Sequence, residues 1–238
     1  MKKLIPILLL WSSALAALAQ GVVVVPNGFA TVEGNSSTSD PFTSSSFRLQ
    51  MVIDASQFAI PPGASGRINS ISFRIDGSSS GNVIYSFGGG SVTASTTTRA
   101  PDGLSSVFAD NIGANPVTIF NGGLGIGNFY AAGANPQPFG GGVEATTAFW
   151  YRPSQGNLLL DIRGRSGQVL FPGALDAQSV VGDSISRVFA NSELLASGTA
   201  DTLGLVTRFD FTVVPEPSTW ILASLGLATL LILKMRRH

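Results

Sequence analysis

The chain has 238 residues, no cysteine and a single histidine, His238, at its C-terminus. Residues 20–213 contain nine arginines and thirteen acids, a net charge of −4, and all three lysines lie outside this range. These counts exclude thiol nucleophiles, Ser-His-Asp triads and His- or Cys-ligated metal sites from residues 20–213, and they argue against a basic nucleic-acid-binding surface.

The first nineteen residues have the pattern of a secretory signal peptide. Two lysines precede an apolar stretch over residues 4–15, and Ala17 and Ala19 occupy positions −3 and −1 of an A-x-A cleavage site. We therefore predict cleavage between Ala19 and Gln20. An uncleaved N-terminal anchor is the alternative, although the apolar stretch is short for a membrane span.

Short segments in which apolar and polar residues alternate recur between residues 20 and 213. Such alternation is typical of antiparallel strands with one buried and one solvated face. The strongest predicted strands cover residues 47–54, 69–76, 82–87, 157–163 and 205–213, and weaker candidates cover 22–25, 91–98, 117–120, 147–151 and 185–189. Turns rich in Gly and Pro separate these segments, and no long helical pattern interrupts them.

This pattern predicts an all-β fold, a single antiparallel β-sandwich with jelly-roll-like connections over residues 20–213. A barrel or a short β-helix is the alternative. Residues 113–142 are the least regular part because they contain nine glycines and three prolines. We interpret them as a long surface excursion with a short strand at 117–120, either a functional loop or a mobile loop without a role.

Four acids lie on polar faces or at ends of predicted strands: Asp54, Asp76, Asp161 and Asp210. We expect them to be solvated and to pair with nearby arginines on the same strands. The arginines concerned are Arg48, Arg74, Arg163 and Arg208. A glycoside hydrolase needs only two carboxylates, about 5–5.5 Å or 6.5–9.5 Å apart, so an enzyme remains an alternative.

Polar loops and one threonine-rich segment provide weaker candidates for ligand binding. Residues 101–103, 108–113 and 182–184 each contain oxygen ligands suited to calcium, but none matches a known calcium-binding motif. We therefore predict no metal site and no cofactor. The threonine-rich run at residues 93–99 could form part of an ice-binding face, although a β-branched edge strand explains it equally well.

Consecutive aromatic residues at positions 149–151 suggest a site for a sugar. Alternation puts Phe149 and Tyr151 on one face of a strand and Trp150 on the other, so we expect one aromatic set to be exposed and the other to pack in the core. An exposed aromatic ring can stack on a pyranose ring, which makes Trp150 and Tyr151 our candidate ligand-binding residues. The alternative is that Trp150 packs beneath a loop or at a sheet edge.

The C-terminal segment has the features of a membrane-spanning helix. Residues 218–233 are largely apolar and would form a helix roughly 24 Å long. Trp220 precedes most of this run, and Lys234, Arg236 and Arg237 follow it. These flanks predict an anchor with its basic end in the cytoplasm and the β domain outside, a type I topology.

Residues 214–238 resemble the PEP-CTERM sorting signal of exopolysaccharide-producing Gram-negative bacteria. The likeness consists of Pro215, Glu216 and Pro217, followed by a short apolar span and a basic end, in that order. The resemblance implies that an inner-membrane exosortase recognises these three residues, cuts near them and passes the protein toward the outer surface. The same tail is also named after the C-terminus of an ice-binding protein, a label that describes the tail alone.

Together these features predict an exported, exosortase-sorted protein of the envelope or extracellular matrix, with a structural or polysaccharide-associated role and no catalysis. Its expected partners are the exosortase, the secretion machinery and the inner membrane, with exopolysaccharide as a candidate ligand and nucleic acid excluded. It would be anchored in the inner membrane at least transiently and would then reach the cell surface or matrix. The alternatives are a carboxylate-dependent glycoside hydrolase or lyase acting on exopolysaccharide, and a calcium- or ice-binding surface protein.

Overall fold

A computed structural model describes residues 19–215 of the chain. The predicted signal peptide, with Ala17, and the sorting tail from Glu216 onward, with Pro217, Trp220, Lys234, Arg236 and Arg237, lie outside the described residues. Within residues 19–215, the helical segments are four 3-10 turns, Asn27–Phe29, Ala55–Gln57, Phe108–Asn111 and Pro153–Gln155. No helix in this part of the chain is long and apolar enough to cross a membrane.

Fourteen strands make up the described part of the chain. They are β1 (Ala19–Val25), β2 (Ser36–Thr38), β3 (Phe47–Ile53), β4 (Ala64–Arg74), β5 (Val83–Thr97), β6 (Ala114–Asn128), β7 (Phe139–Glu144), β8 (Trp150–Tyr151), β9 (Asn157–Phe171), β10 (Leu175–Ser179), β11 (Ile185–Ala190), β12 (Thr199–Asp201), β13 (Leu203–Leu205) and β14 (Thr207–Pro215). Every segment predicted as a strand overlaps one of them, so the all-β prediction is confirmed.

The strands form two antiparallel sheets of very different size. Eleven of them form one curled sheet in the order β1-β14-β4-β7-β6-β5-β9-β3-β11-β12, with β8 also paired to β4. The other three form a small sheet in the order β13-β10-β2. The layers of the predicted sandwich are therefore mainly parts of one sheet that folds over on itself.

The main hydrophobic core lies inside the curl of the large sheet, and a smaller cluster is formed by Phe108, Val188 and Ala190. Strands that are far apart in the sheet order, such as β14 and β3, contribute side chains to the same buried cluster. The Phe58 ring lies 4.9 Å from that of Tyr151 and 5.4 Å from that of Phe209, measured between centroids. Each fully buried side chain of this kind contributes about 1.5–3 kcal/mol, so the alternating apolar residues supply the main driving force for folding.

The prediction of a long surface excursion at residues 113–142 is wrong. Most of this segment belongs to the fifteen-residue strand β6, which pairs with β5, and to β7; the irregular part is limited to residues 129–138. The glycines occur at bulges and close approaches. At Gly127, for example, φ is +107° and a Cβ atom would lie 2.0 Å from the Val83 carbonyl oxygen. Glycines in a strand remove the alternation by which it is recognised.

The last strand extends slightly further than the sequence pattern predicts. We expected Pro215 to end the strand near Val213, but β14 continues to Pro215, which pairs with Ala64 of β4. On the other side of β14, the described pairing with β1 runs from Thr207 to Val213.

Candidate binding face

Two outward-facing regions of the large sheet carry the polar and charged side chains that bear on function. The first, which we call the open face, consists of the outward side chains of β14, β4, β7 and β8. The second, the covered face, consists of the outward side chains of β3 and β9. Because side chains directly opposite each other on paired strands point to the same side, the strand register determines which residues are neighbours on each face.

On the covered face, charged side chains are buried in a hydrogen-bonded network. Asp161 accepts hydrogen bonds from Arg48 Nε at 3.0 Å and from Gln50 Nε2 at 3.1 Å. Gln50 in turn accepts a hydrogen bond from Asn111, and the Arg48 guanidinium lies 4.4 Å from the Phe108 ring centroid. The 3-10 turn containing Phe108 and Asn111 thus covers this face and excludes solvent from it.

The prediction that Asp161 and Arg48 are solvated is therefore wrong. Asp161 is 4% exposed and Arg48 is 7% exposed. The segment that covers them connects β5 to β6, and no local feature of β3 or β9 indicates its position. Such a network stabilises the fold when each charge is paired, because an unpaired charge in this position would be very costly.

A second buried ion pair closes one end of the open face. Arg74, the last residue of β4, donates a hydrogen bond from Nε to Asp176 Oδ2 at 2.6 Å, and both side chains are fully buried. Arg74 also donates to the Val32 carbonyl oxygen, while Asp176 accepts from the Gly34 N–H at 2.9 Å. Burial raises the pKa of Asp176 to about 6, although the nearby Arg74 opposes the increase.

The other predicted acids are bound locally. Asp54 accepts a hydrogen bond from the Ser56 N–H at the start of a 3-10 turn, and Asp76 accepts one from the Ser78 N–H. These contacts are turn interactions and not ion pairs with the arginines expected from the sequence. Asp210 does pair as predicted, since Arg208 Nη2 lies 2.9 Å from its Oδ1 atom on the partly exposed face of β14.

The open face presents its polar residues in rows that run across the strands. One row contains Thr212, Arg67 and Trp150, on β14, β4 and β8. The next contains Asp210, Ser70 and Glu144, and a third contains Arg208, Ser72 and Gly142, on β14, β4 and β7. The second and third rows line a shallow groove of about 260 Å³. Hydroxyls, carboxylates and a guanidinium therefore lie side by side where a polar polymer could bind.

Trp150 and Tyr151 are neighbours in the chain but lie on opposite sides of the sheet. The Trp150 side chain is exposed, with 48% of its surface accessible, whereas Tyr151 is 1% exposed and donates its hydroxyl to the Gly156 carbonyl oxygen at 2.8 Å. Burial raises the pKa of the Tyr151 hydroxyl. Tyr151 is therefore a core residue and cannot contact a surface ligand, which corrects the prediction for that residue. Trp150 remains a candidate.

Arg67 is the residue of this face that sequence reasoning missed. It pairs in register with Trp150 on one side and with Thr212 on the other. Within the described residues its Nε atom is buried without a hydrogen-bond partner. The sequence gives no signal for Arg67, because it precedes the predicted strand at residues 69–76, whereas the observed strand β4 already begins at Ala64.

Two carboxylates line the groove on either side of Ser70. Asp210 accepts hydrogen bonds from Ser70 Oγ at 2.8 Å and from Arg208, whereas Glu144 is exposed. Their backbones are two strand spacings apart, roughly 10 Å. The sheet register thus brings together a pair of acids that lie 66 positions apart in the sequence.

The structure gives little support to the candidate calcium-binding loops and to the candidate ice-binding face. Asp102 accepts a hydrogen bond from the Gly182 N–H at 2.7 Å, so two of the three predicted calcium loops meet, and burial raises the pKa of Asp183. Even so, residues 19–215 contain no group of three or more acids or histidines that could hold a metal ion. The threonine run does not form one exposed rank, since Thr97 is buried and donates its hydroxyl to Asn111.

Comparison with known protein families finds a match at the C-terminal end of the chain. The family model of the PEP-CTERM protein-sorting motif matches residues 213–237. The chain therefore carries a PEP-CTERM sorting motif. The motif indicates an exported protein that is targeted by an exosortase, passes through the membrane and is sorted to the cell surface. No curated protein and no solved structure matches the chain significantly.

Proposed function

We propose that this protein binds polysaccharide of the cell envelope or extracellular matrix and does not modify it. Its sorting motif directs it to the surface, and the open face of residues 19–215 would then contact the matrix. In this proposal the curled sheet acts as a rigid scaffold for the open face. The exosortase, the secretion machinery and, through the sorting tail, the inner membrane are its partners during export.

The observation that carries the proposal is an exposed tryptophan at the edge of a polar sheet face. Trp150 presents an aromatic surface on β8, next to the row of Arg67 and Thr212. Sugars are bound by this combination, because the ring stacks on the apolar face of a pyranose while polar groups bind its hydroxyls. The face is formed by paired strands, so its groups are held in fixed positions before a ligand arrives.

A retention experiment tests the proposal. The purified full chain is passed over immobilised exopolysaccharide of the producing cell, with calcium or with a chelator, while reducing sugar is assayed in the eluate. We expect retention without sugar release in both conditions. The variant Trp150→Ala should lose most of the retention, since truncation of a tryptophan that anchors an interface costs about 2 kcal/mol or more.

Phe171→Ala is the matched control for this variant. Phe171 is an exposed aromatic residue at the end of β9, and its exposed fraction of 46% is close to that of Trp150. It lies on a strand that does not contribute to the open face, so its loss should leave retention unchanged. Equal retention by wild type and Trp150→Ala, or loss of retention in Phe171→Ala alone, would contradict the proposed binding site.

A carboxylate-dependent glycoside hydrolase or lyase is the second candidate function. The specific observation in its favour is that Glu144 and Asp210 line one groove. If the protein cleaves its polymer, reducing sugar should appear in the same experiment and should fall at least a hundredfold in Glu144→Gln, as expected when a general acid or base is removed. Sugar release by the wild-type protein would replace the binding proposal with the enzymatic one.

Substitution of the sorting motif tests separately whether the protein is exported and sorted. Replacing Pro215, Glu216 and Pro217 together by alanine should prevent recognition by the exosortase and leave the uncut chain in the inner-membrane fraction. The neighbouring substitution Ser218→Ala should still allow sorting. Immunoblots of inner-membrane, outer-membrane and extracellular fractions would measure the distribution. An unchanged distribution of the triple variant would show that these residues do not direct sorting.

A further inference from the structure

Among residues 19–215, Arg67 differs from the other arginines of the sheet in having no acidic partner. Six arginines have a carboxylate oxygen within 4.0 Å: Arg48, Arg74, Arg163, Arg165, Arg187 and Arg208. For Arg67 no such ion pair exists among residues 19–215, and its Nε atom is buried without a hydrogen-bond partner there. A buried donor that is left unsatisfied costs about 1–3 kcal/mol, and the Arg67 side chain is only half-buried, so an acceptor from outside the fold can approach the accessible part of its guanidinium.

The strand register brings this guanidinium next to the exposed tryptophan. Arg67 of β4 is directly opposite Trp150 of β8, and side chains in such pairs have Cβ atoms about 4.5–5.5 Å apart on the same side of the sheet. Thr212 flanks Arg67 on the other side, and its hydroxyl oxygen lies 2.9 Å from Asn69 Nδ2. An aromatic surface, a planar cation and a hydroxyl thus form one continuous row.

The two main groups of this row select for different parts of one ligand. A guanidinium presents parallel N–H donors that match the two oxygens of a carboxylate, and such charge-assisted pairs are stronger than neutral hydrogen bonds. An indole ring stacks on the apolar face of a sugar ring. A carboxylate attached directly to a pyranose ring satisfies both groups at the spacing of one cross-strand pair. We propose that Arg67 and Trp150 bind a uronic acid unit of an acidic polysaccharide.

The charges around the row fit the binding of one sugar carboxylate better than the binding of a nucleic-acid backbone. Asp210 is already paired with Arg208, but Glu144 is exposed and has no ion pair within the described residues. Together with the net charge of −4 over residues 20–213, Glu144 disfavours a nucleic acid, whose binding needs many cationic contacts to its phosphates. One guanidinium beside one ring is sufficient for a single carboxylate.

This inference rests on the proposed binding function, but a separate pair of polymers tests it. The probes are polygalacturonate and the same polymer after chemical reduction of its carboxylates, each titrated against the purified full chain at low salt. We expect the reduced, neutral polymer to bind about tenfold more weakly, as for loss of one charge-assisted contact. In Arg67→Gln the two polymers should bind equally, whereas Trp150→Ala should weaken binding to both.

Two further variants separate the site from a general effect of charge. Arg67→Lys retains the charge without the planar fork and should recover only part of the preference for the acidic polymer. Arg165→Gln removes an exposed arginine of β9, whose guanidinium is 3.8 Å from Glu193, and should leave the preference intact. Thermal unfolding of each variant checks that the fold is unchanged.

Three results would overturn the inference. They are binding of polygalacturonate no tighter than that of the reduced polymer, an unchanged preference in Arg67→Gln, and tighter binding of single-stranded DNA than of polygalacturonate. Retention on exopolysaccharide of the producing cell is measured independently. If that retention depends on Trp150 while the polymer preference is absent, the binding function stands and only the acidic specificity fails.

Discussion

The covered face and the open face of the large sheet carry the same types of charged residue in very different environments. On the covered face, Arg48 and Asp161 are buried beneath the 3-10 turn at residues 108–111. On the open face, Arg208 and Asp210 also form an ion pair, but their side chains are 39% and 34% exposed. The same pair of residue types thus contributes to the fold in one place and remains on the surface in the other.

This difference arises from the connections between strands and not from the strands themselves. The link between β5 and β6 crosses the covered face, whereas within residues 19–215 the links around β14, β4 and β7 do not cross the open face, except at Arg74. A sheet face left open beside covered ones is where a ligand can bind. The comparison therefore predicts that substitutions on the covered face change stability, and that those on the open face change binding.

The largest expected effect is loss of the buried acid on the covered face. Asp161→Ala leaves the Arg48 guanidinium buried without its partner and removes an acceptor from Gln50, so the free energy of unfolding should fall by about 3–5 kcal/mol. Asp210→Ala breaks the corresponding pair on the open face and should cost about 0–1 kcal/mol. Urea unfolding of the purified full chain measures both. Equal losses for the two variants would contradict the distinction between the faces.

The burial of Asp161 also illustrates the limit of sequence-based prediction for this fold. Alternation correctly predicted that Leu158 and Leu160 face the core, because that property depends only on neighbouring residues in a strand. Whether the opposite side of the strand is exposed depends on a segment about fifty residues away. Likewise, the sequence cannot reveal that Glu144 and Asp210 share a groove, because their proximity depends on the order of β14, β4 and β7 in the sheet.

Two residues of the open face show the same contrast. The opposite orientations of Trp150 and Tyr151 followed from alternation, and the structure confirms them. Arg67 gave no such signal, since an arginine with a nearby acid and one without are alike in sequence. The prediction for residues 114–128 failed for another reason, because glycines interrupt the apolar periodicity of this strand. Local patterns therefore predicted the strands that contain large side chains, and failed where pairing or packing alone determines the structure.

The second prediction concerns the closed end of the open face, where Arg74 and Asp176 are buried. The pKa of Asp176 is raised from 3.8 to about 6, so between these pH values the folded protein retains a proton that the unfolded chain has released. The contribution of this group to stability is therefore fully present below about pH 4 and is lost as the pH rises through about 6, on the order of 3 kcal/mol. Asp176→Asn should remove this component from the pH dependence.

Unfolding free energies of wild type and Asp176→Asn at a series of pH values between 4 and 7 test this prediction. The difference between the two proteins separates the contribution of Asp176 from those of the other titrating groups. One of these groups is Glu33, whose negative charge also raises the pKa of Asp176. We expect the wild type to lose stability relative to the variant as the pH increases. A difference that is constant over this range, or that changes in the opposite direction, would contradict burial as the dominant cause of the raised pKa.

A smaller effect is expected at Tyr151, on the inner side of β8. Tyr151→Phe keeps the ring that packs against Phe58 and removes only the hydroxyl that donates to the Gly156 carbonyl oxygen. The expected loss in free energy of unfolding is about 1 kcal/mol, the typical net value of one hydrogen bond. Polysaccharide retention should be unchanged, because this side chain cannot reach the surface. A loss of retention without a loss of stability would show that Tyr151 contributes to binding after all.

The smallest expected effect on stability is at Trp150, the residue for which we expect the largest effect on binding. Its side chain is half exposed, so Trp150→Ala should change the free energy of unfolding by no more than about 0.5 kcal/mol. A larger loss would mean that the ring is packed as part of the fold, and reduced retention could then follow from an altered β8. If stability is unchanged and retention is lost, the ring itself contacts the ligand. Adjacent residues of a two-residue strand would then divide the two roles, with Tyr151 stabilising the core and Trp150 binding the polymer.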